Sequence, residues 1–264
     1  MNAAATKKQI ESALAERFGH AFERNERLPP ETLPTGIGEI DNALHGFPRG
    51  AITEIHGTAS SGRTSLMLSA LAAATSQEEI CALIDCSDTF DLSSATKANV
   101  NFDRLLWIRC GHNFERAFKA VDLILHAGGF GLVALNLCDV PARTVRRVIS
   151  TWWFRFRRAL ENTPNALIVL TPIAAVRSCA ALALEVKSEA SVWPSSLSLL
   201  SENRYSSFTA QTEHGSHLSL VQTSARTFSP KTHSHFLQAI DICVNRQRPV
   251  EWHTREIKFK ANSH

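Results

Sequence analysis

Apolar and polar positions along this chain recur in two periods, and the changes from one to the other set out most of its organisation. Between Lys7 and Glu23, Ile10, Leu14, Phe18 and Phe22 return every four residues, which predicts an amphipathic helix that docks on a core or a partner. The three prolines of Leu28-Pro29-Pro30-Glu31-Thr32-Leu33-Pro34 cannot continue it, so residues 1–32 read as a helix and a Pro-rich linker. From Leu33 onward, short β-rich runs alternate with longer helical ones, the pattern of stacked βαβ units around a largely parallel sheet. The predicted strands are Ala51–His56, Ile80–Asp85, Arg104–Arg109, Leu132–Leu137 and Ala166–Thr171, and the predicted helices Thr64–Thr75, Phe114–His126 and Ala142–Glu161. Thr171–Val176 is expected to run directly into another apolar helix. Beyond Val176 the texture turns to Ser/Thr-rich alternation, clearest over Ser216–Thr223, which reads as a C-terminal antiparallel β extension. Residues 33–245 thus form the expected core, and 246–264 a basic, polar tail expected to be poorly ordered.

Composition adds limits rather than a function. With 264 residues, 44% hydrophobic and 20% charged, the chain can bury one α/β core, and no run approaches the roughly 18 apolar residues of a membrane span. The N-terminal lysines precede no apolar stretch, so a cytoplasmic protein without an export signal is expected. The six cysteines are scattered, mostly within apolar runs and without C-x-x-C spacing, which reads as reduced, buried thiols. A net charge of +3 does not by itself imply a polyanionic partner. The placement of the arginines matters more.

The stretch GTASSGRTS, Gly57 to Ser65, follows a predicted strand and opens a predicted helix. It has the spacing G-x-x-x-x-G-K-[ST] of a phosphate-binding loop, in which glycines admit phosphates to backbone N–H groups at a helix N-terminus. Gly57, Gly62, Arg63, Thr64 and Ser65 are therefore the candidate nucleotide-binding residues, as a degenerate loop. Arg63 stands where the motif has lysine, and a planar fork does not replace a compact ammonium. An NTPase of this kind also needs a carboxylate at the end of a neighbouring strand for its magnesium ion, and Leu132-Val133-Ala134-Leu135 ends in Asn136. Asp139 reads as a helix N-cap ahead of Pro141 and Ala142.

The lead-in Thr35-Gly36-Ile37-Gly38-Glu39-Ile40-Asp41-Asn42-Ala43-Leu44, then Gly46–Ile55 and the loop, resembles the opening of the RecA recombinase core, and the order of elements matches over roughly residues 33–195. The resemblance implies an α/β fold with a RecA-like P-loop core. It also exposes departures. The family's water-activating glutamate falls on Ser87, beside Asp88; its adenine contacts fall on Asp91 and Ser94; its γ-phosphate-sensing glutamine falls on Pro172, which has no side-chain amide or N–H. The two loops through which the family grips DNA look deleted, after Asp139 and after Thr171. No catalytic residue and no cofactor is expected, with ATP binding left doubtful.

Five arginines share one face of the predicted helix Ala142–Glu161. At about 100° per residue, Arg143, Arg146, Arg147, Ser150, Phe154, Arg157 and Arg158 share one face, while Val145, Val148, Ile149, Trp152, Phe156, Ala159 and Leu160 share the core face. Arginine suits phosphates and acidic protein surfaces, so Arg143, Arg146, Arg147, Phe154, Arg157 and Arg158 are the candidate partner or DNA contacts, against the plainer reading of a solvated face. His214/His217 and His233/His235 lack nearby Cys or acidic clusters, and no metal site is expected. Among RecA relatives lacking the catalytic set, the chain is most similar to the ImuA family of damage-induced mutagenesis accessories. That resemblance implies a non-catalytic role in translesion DNA synthesis, with an ImuB-like polymerase-family partner and RecA. An ATP-dependent RecA-type repair ATPase and a SulA-like cell-division inhibitor remain alternatives.

Overall fold

Strands covered on both faces are expected to be nearly unbroken apolar runs, and the central strands here are, with Thr53 and Glu54 the interruption. The computed structural model describes residues 31–192, 239–249 and 256–262. Its elements are, in chain order, β1 (Thr32–Leu33), α1 (Gly38–Leu44), β2 (Phe47–Pro48), β3 (Ala51–His56), α2 (Arg63–Ser76), β4 (Cys81–Asp85), α3 (Leu92–Lys97), β5 (Leu105–Arg109), α4 (Phe114–Ala127), β6 (Leu132–Asn136), α5 (Ala142–Arg146), α6 (Ser150–Leu160), β7 (Ala166–Thr171), β8 (Ala180–Val192), β9 (Ala239–Arg248) and β10 (Glu256–Asn262). Single 3-10 turns precede β5 (Phe102–Arg104) and β8 (Arg177–Cys179).

The main sheet has eight strands among the described residues, in the order β10-β9-β8-β3-β7-β6-β4-β5. Strands β8 to β5 in that order run parallel, and β9 and β10 return antiparallel. The fold is thus α/β, a largely parallel sheet flanked by helices with an antiparallel extension. On one face α2 buries Leu66, Met67, Ala70, Leu71 and Ala74 against Ile55, Leu83, Ala134 and Ile168. On the other, α4 and α6 cover Ile52, Ile84, Val133, Leu135, Leu167 and Val169. Phe118 of α4 is the aromatic hub there, its ring centroid 5.1 Å from Trp153 and 5.6 Å from Phe156 of α6. The helix carrying it begins at Asn113, whose side chain accepts the N–H of Arg116. No helix among the described residues is long and apolar enough to cross a membrane.

Three expectations need correction. The helix expected over Ala142–Glu161 is two helices. Arg147 and Val148 end α5 with tight bonds to Thr144 and Val145, Ile149 is extended (φ −66°, ψ 127°), and α6 starts afresh at Ser150. The apolar helix expected directly after Val176 is a single 3-10 turn and then strand β8: Leu182, Leu184 and Val186 alternate into the α2 side of the core, a period of two. The tail expected from 246 on instead contributes the end of β9 and all of β10. Ile257 and Phe259 enter the core there while Glu256 and Lys258 face out, so alternation supplies the burial that a disordered tail lacks. The predicted helix over Lys7–Glu23, the linker up to residue 30, the Ser216–Thr223 strand and the paired histidines lie outside the described residues, and the end of the linker forms β1.

Candidate functional site

Parallel α/β sheets present their ligand sites beyond the carboxyl ends of the strands, where backbone groups are left unpaired. Here those ends are His56, Asp85, Asn136 and Thr171, at the C-termini of β3, β4, β6 and β7. The candidate loop leaves β3 at His56 and enters α2 at Arg63. Ser60 and Gly62 adopt left-handed backbone, at φ 58° and 99°, which reverses the chain tightly enough to start the helix. Gly57 is required for a different reason. A Cβ there would lie 2.2 Å from the carbonyl oxygen of Val186, so strand β8 presses directly on the first turn of the loop. The structure thus brings Gly57, Gly62, Arg63, Thr64 and Ser65 together in a strand–turn–helix with the shape of a phosphate-binding loop, Thr64 and Ser65 exposed.

Arg63 does not point into solvent. It is buried, and its Nη1 donates to the Thr171 carbonyl oxygen at 2.6 Å, the same oxygen that accepts the N–H of Gly57 at 3.3 Å. One carbonyl at the end of β7 therefore latches both ends of the loop. Pro172 follows it and offers no donor. The half-buried thiol of Cys138 shares this environment. Burial pushes it up to about 11, against the opposing pull of Arg63, so it stays protonated at neutral pH.

The positions that the family resemblance assigns to catalysis are occupied by structural bonds. Asn136 donates from Nδ2 to Asp85 Oδ1 at 3.3 Å and accepts the N–H of Cys138 at 3.1 Å, strapping β6 to β4. Asp85 is fully buried and also accepts the N–H of Phe90 at 2.8 Å. Ser87 is buried. Asp88 accepts the N–H groups of Cys110 and Gly111 and holds the β5–α4 turn. Asp91 is the N-cap of α3; the Ser94 hydroxyl at 2.6 Å, then the Ser94 N–H, hold its carboxyl below the usual range. Asp91 and Ser94 are thus together, as a helix cap. Asp139 is not the cap it was expected to be. That position belongs to Pro141 and has no side-chain bond, while Asp139 reaches across to accept from the Thr89 hydroxyl at 2.8 Å.

Sequence reasoning passed over two buried groups in β3. Glu54 accepts the N–H groups of Ala175 and Val176, at 2.5 and 3.0 Å, and the Thr171 hydroxyl at 3.3 Å, all on Oε1. It closes the short connection from β7 to β8. A charge-bearing residue inside the run Ala51-Ile52-Thr53-Glu54-Ile55 was the available signal. His56 is opposite Glu185 in the β3–β8 register and is buried, with Nδ1 lacking a hydrogen-bond partner among the described residues. Desolvation holds its imidazole below the ordinary 6.5, opposed by Glu54 and Glu185 and reinforced by Arg63 and Lys187.

That depression has a sign. The unfolded chain takes up a proton as pH falls through about 6.5 while the folded chain does not, so the stability tied to neutral His56 is present above that pH and lost below it. The urea midpoint is expected to drop from neutral pH to about pH 5, and less steeply in His56→Gln. Parallel curves for the two proteins would refute the assignment.

The arginine face is divided by the break between α5 and α6. Arg143, Arg146 and Arg147 are exposed on α5 and its last turn, and Arg157 and Arg158 on α6. Phe154 is 46% exposed, its ring 5.3 Å from the Arg157 guanidinium. Ile149, expected on the core face, is 68% exposed, because the break turns it outward. Arg155 is engaged by Asp122 of α4 at 2.5 and 2.6 Å. Elsewhere, Glu189, Cys243 and Glu256 gather on the antiparallel extension, but Lys258 already pairs with both glutamates.

The RecA N-terminal domain family matches residues 3–148, more than half of the chain. The chain belongs to that family. It is 36% identical over 138 residues to Protein RecA of Clavibacter michiganensis subsp. michiganensis, a span of 49% of this chain and 38% of that one. To Protein RecA of Psychrobacter cryohalolentis it is 34% identical over 152 residues, or 54% of this chain and 42% of that one. The RecA-like chain therefore spans about two fifths of the length of these curated relatives. Among solved structures, that of the RadB recombinase superposes with a TM-score of 0.49 at 17% identity, over 59% of this chain and 83% of that one.

Proposed function

We propose that this chain is a non-catalytic, RecA-like accessory protein of the bacterial DNA-damage response, of the ImuA type. In this reading it is cytoplasmic and serves translesion DNA synthesis by binding an ImuB-like polymerase-family protein and RecA, with nucleic acid a further candidate for its arginine face. The observation that carries the reading is Arg63. The side chain that would meet the terminal phosphates is buried and bound to the Thr171 carbonyl, which already holds Gly57. The loop's shape fits an anion, but the residues around it do not fit a magnesium nucleotide. Asn136 carries no charge to offset the ion, and Asp85 and Asp88 are committed to backbone N–H groups. The one geometric point in favour of an ATP-dependent RecA-type enzyme is the exposed Thr64 at the start of α2.

Two measurements separate these readings. ATP at millimolar concentration is expected to give no DNA-stimulated phosphate release; saturable hydrolysis would overturn the proposal. In pull-downs from damaged cells, Arg146→Glu/Arg147→Glu is expected to lose most of the partner that the parent recovers. Equal recovery would remove the arginine face from the account.

A further inference from the structure

The corner between α5 and α6 combines two features that a merely solvated helix face does not need. The first is apolar exposure at the break and in the helix that follows it: Ile149 at 68% and Phe154 at 46%. Breaking the helix at Ile149 turns a large β-branched side chain away from the core face its sequence position predicts. The second is uncompensated charge. Arg143, Arg146, Arg147 and Arg158 have no ion pair among the described residues, and Arg157 has only Glu161 at 4.0 Å. Arg155, which does find an acid, faces the other way, toward Asp122 and the Trp152 ring.

We infer that this corner docks an acidic, amphipathic segment of a partner protein, with Ile149 and Phe154 as the apolar anchor and the five free or weakly paired arginines as the surrounding charge. The inference rests on the reading of the chain as a binding protein and names the chemistry of what it binds. Charge complementarity fixes the sign of the occupant, and the anchor fixes its class. A single nucleic-acid strand is held by bases stacking on open aromatic faces, together with phosphate contacts. Phe154 offers a poor platform, because the Arg157 guanidinium already stands over its ring, and aliphatic Ile149 cannot stack at all. A leucine-bearing acidic helix suits both residues: its apolar side chains cover Ile149 and the Phe154 edge, and its carboxylates reach the arginines in bidentate geometry. Arginine set around a buried apolar anchor is also the composition of interface centres.

The test uses the full chain and three fluorescent probes: a synthetic acidic peptide with leucines along one helical face, the same composition scrambled, and oligothymidylate. Anisotropy is read at low and at physiological salt. The patterned peptide is expected to bind the chain, and to bind it more tightly than the scrambled peptide does. Ile149→Ser, which leaves every charge in place, is expected to weaken it about tenfold. Arg146→Glu/Arg147→Glu is expected to abolish it, with thermal unfolding of both variants checked against the parent. Equal binding of patterned and scrambled peptides, no effect of Ile149→Ser in a folded variant, or tight binding of oligothymidylate with neither peptide bound would each overturn the inference. ATP turnover measured on the same preparation keeps the two readings apart. Turnover with peptide binding intact defeats the accessory role and sustains the docking corner, whereas inert ATP with no peptide bound defeats the corner alone.

Discussion

Glu54→Ala is expected to be among the most destabilising single changes outside the apolar core. Oε1 of this buried side chain accepts the N–H groups of both Ala175 and Val176 as well as the Thr171 hydroxyl. Truncation strands two buried backbone donors, at about 1–3 kcal/mol each, and opens a cavity beneath the β7–β8 connection. The expected loss is about 3–6 kcal/mol, a large share of the stability of an ordinary domain. Glu54→Gln supplies the control, since an amide oxygen can still accept both N–H groups, and it should retain most of the stability. Urea denaturation of the three proteins decides the matter. If the alanine variant unfolds at the parental midpoint, the carboxyl does not hold the connection.

Gly57→Ala is the second. Its effect is expected on folding stability, measured with no nucleotide present. The added methyl would stand 2.2 Å from the Val186 carbonyl oxygen, and that atom belongs to the backbone of β8, so relief requires the strand to move. Pairing between β3 and β8 from Ile52 to His56 opposes such movement. A cost of about 3 kcal/mol or more is expected, above ordinary overpacking because no rotamer change relieves it. Gly62→Ala should be milder. Its clash is with the flexible end of the Ile242 side chain, and the rest of its cost is left-handed backbone at φ 99°. Thermal unfolding should rank them parent, Gly62→Ala, Gly57→Ala; the reverse order would show that β8 yields.

The central strands were legible because burial on two faces leaves a nearly unbroken apolar run. Ala51–His56 and Ala166–Thr171 were read to the residue, and the other three to within one. The phosphate-loop turn was legible because glycine spacing encodes backbone geometry directly. The break at Ile149 was not, since a helical projection assumes the continuity that it is used to detect. Its trace is a phase slip: Trp153 is the deeply buried indole, where an unbroken helix in phase with Val145 would bury Trp152. In β8, Ala181 and Ala183 on either side of Leu182 made a two-residue alternation look like a helical run. The roles of Asp88 and Asp139 were out of reach for another reason. Each carboxyl is spent on a partner that only the fold brings near, as with Asp139 and Thr89, fifty residues apart.

The shared carbonyl of Thr171 bears on how such a protein is controlled. Nucleotide switches work because a strand end and a phosphate loop have two arrangements, and the terminal phosphate selects between them. Here Arg63 and Gly57 fasten those same two parts to one oxygen. On the accessory reading, nothing at this end of the sheet is left for a nucleotide to toggle, and the protein's output is governed by how many copies the cell makes rather than by which state each copy is in.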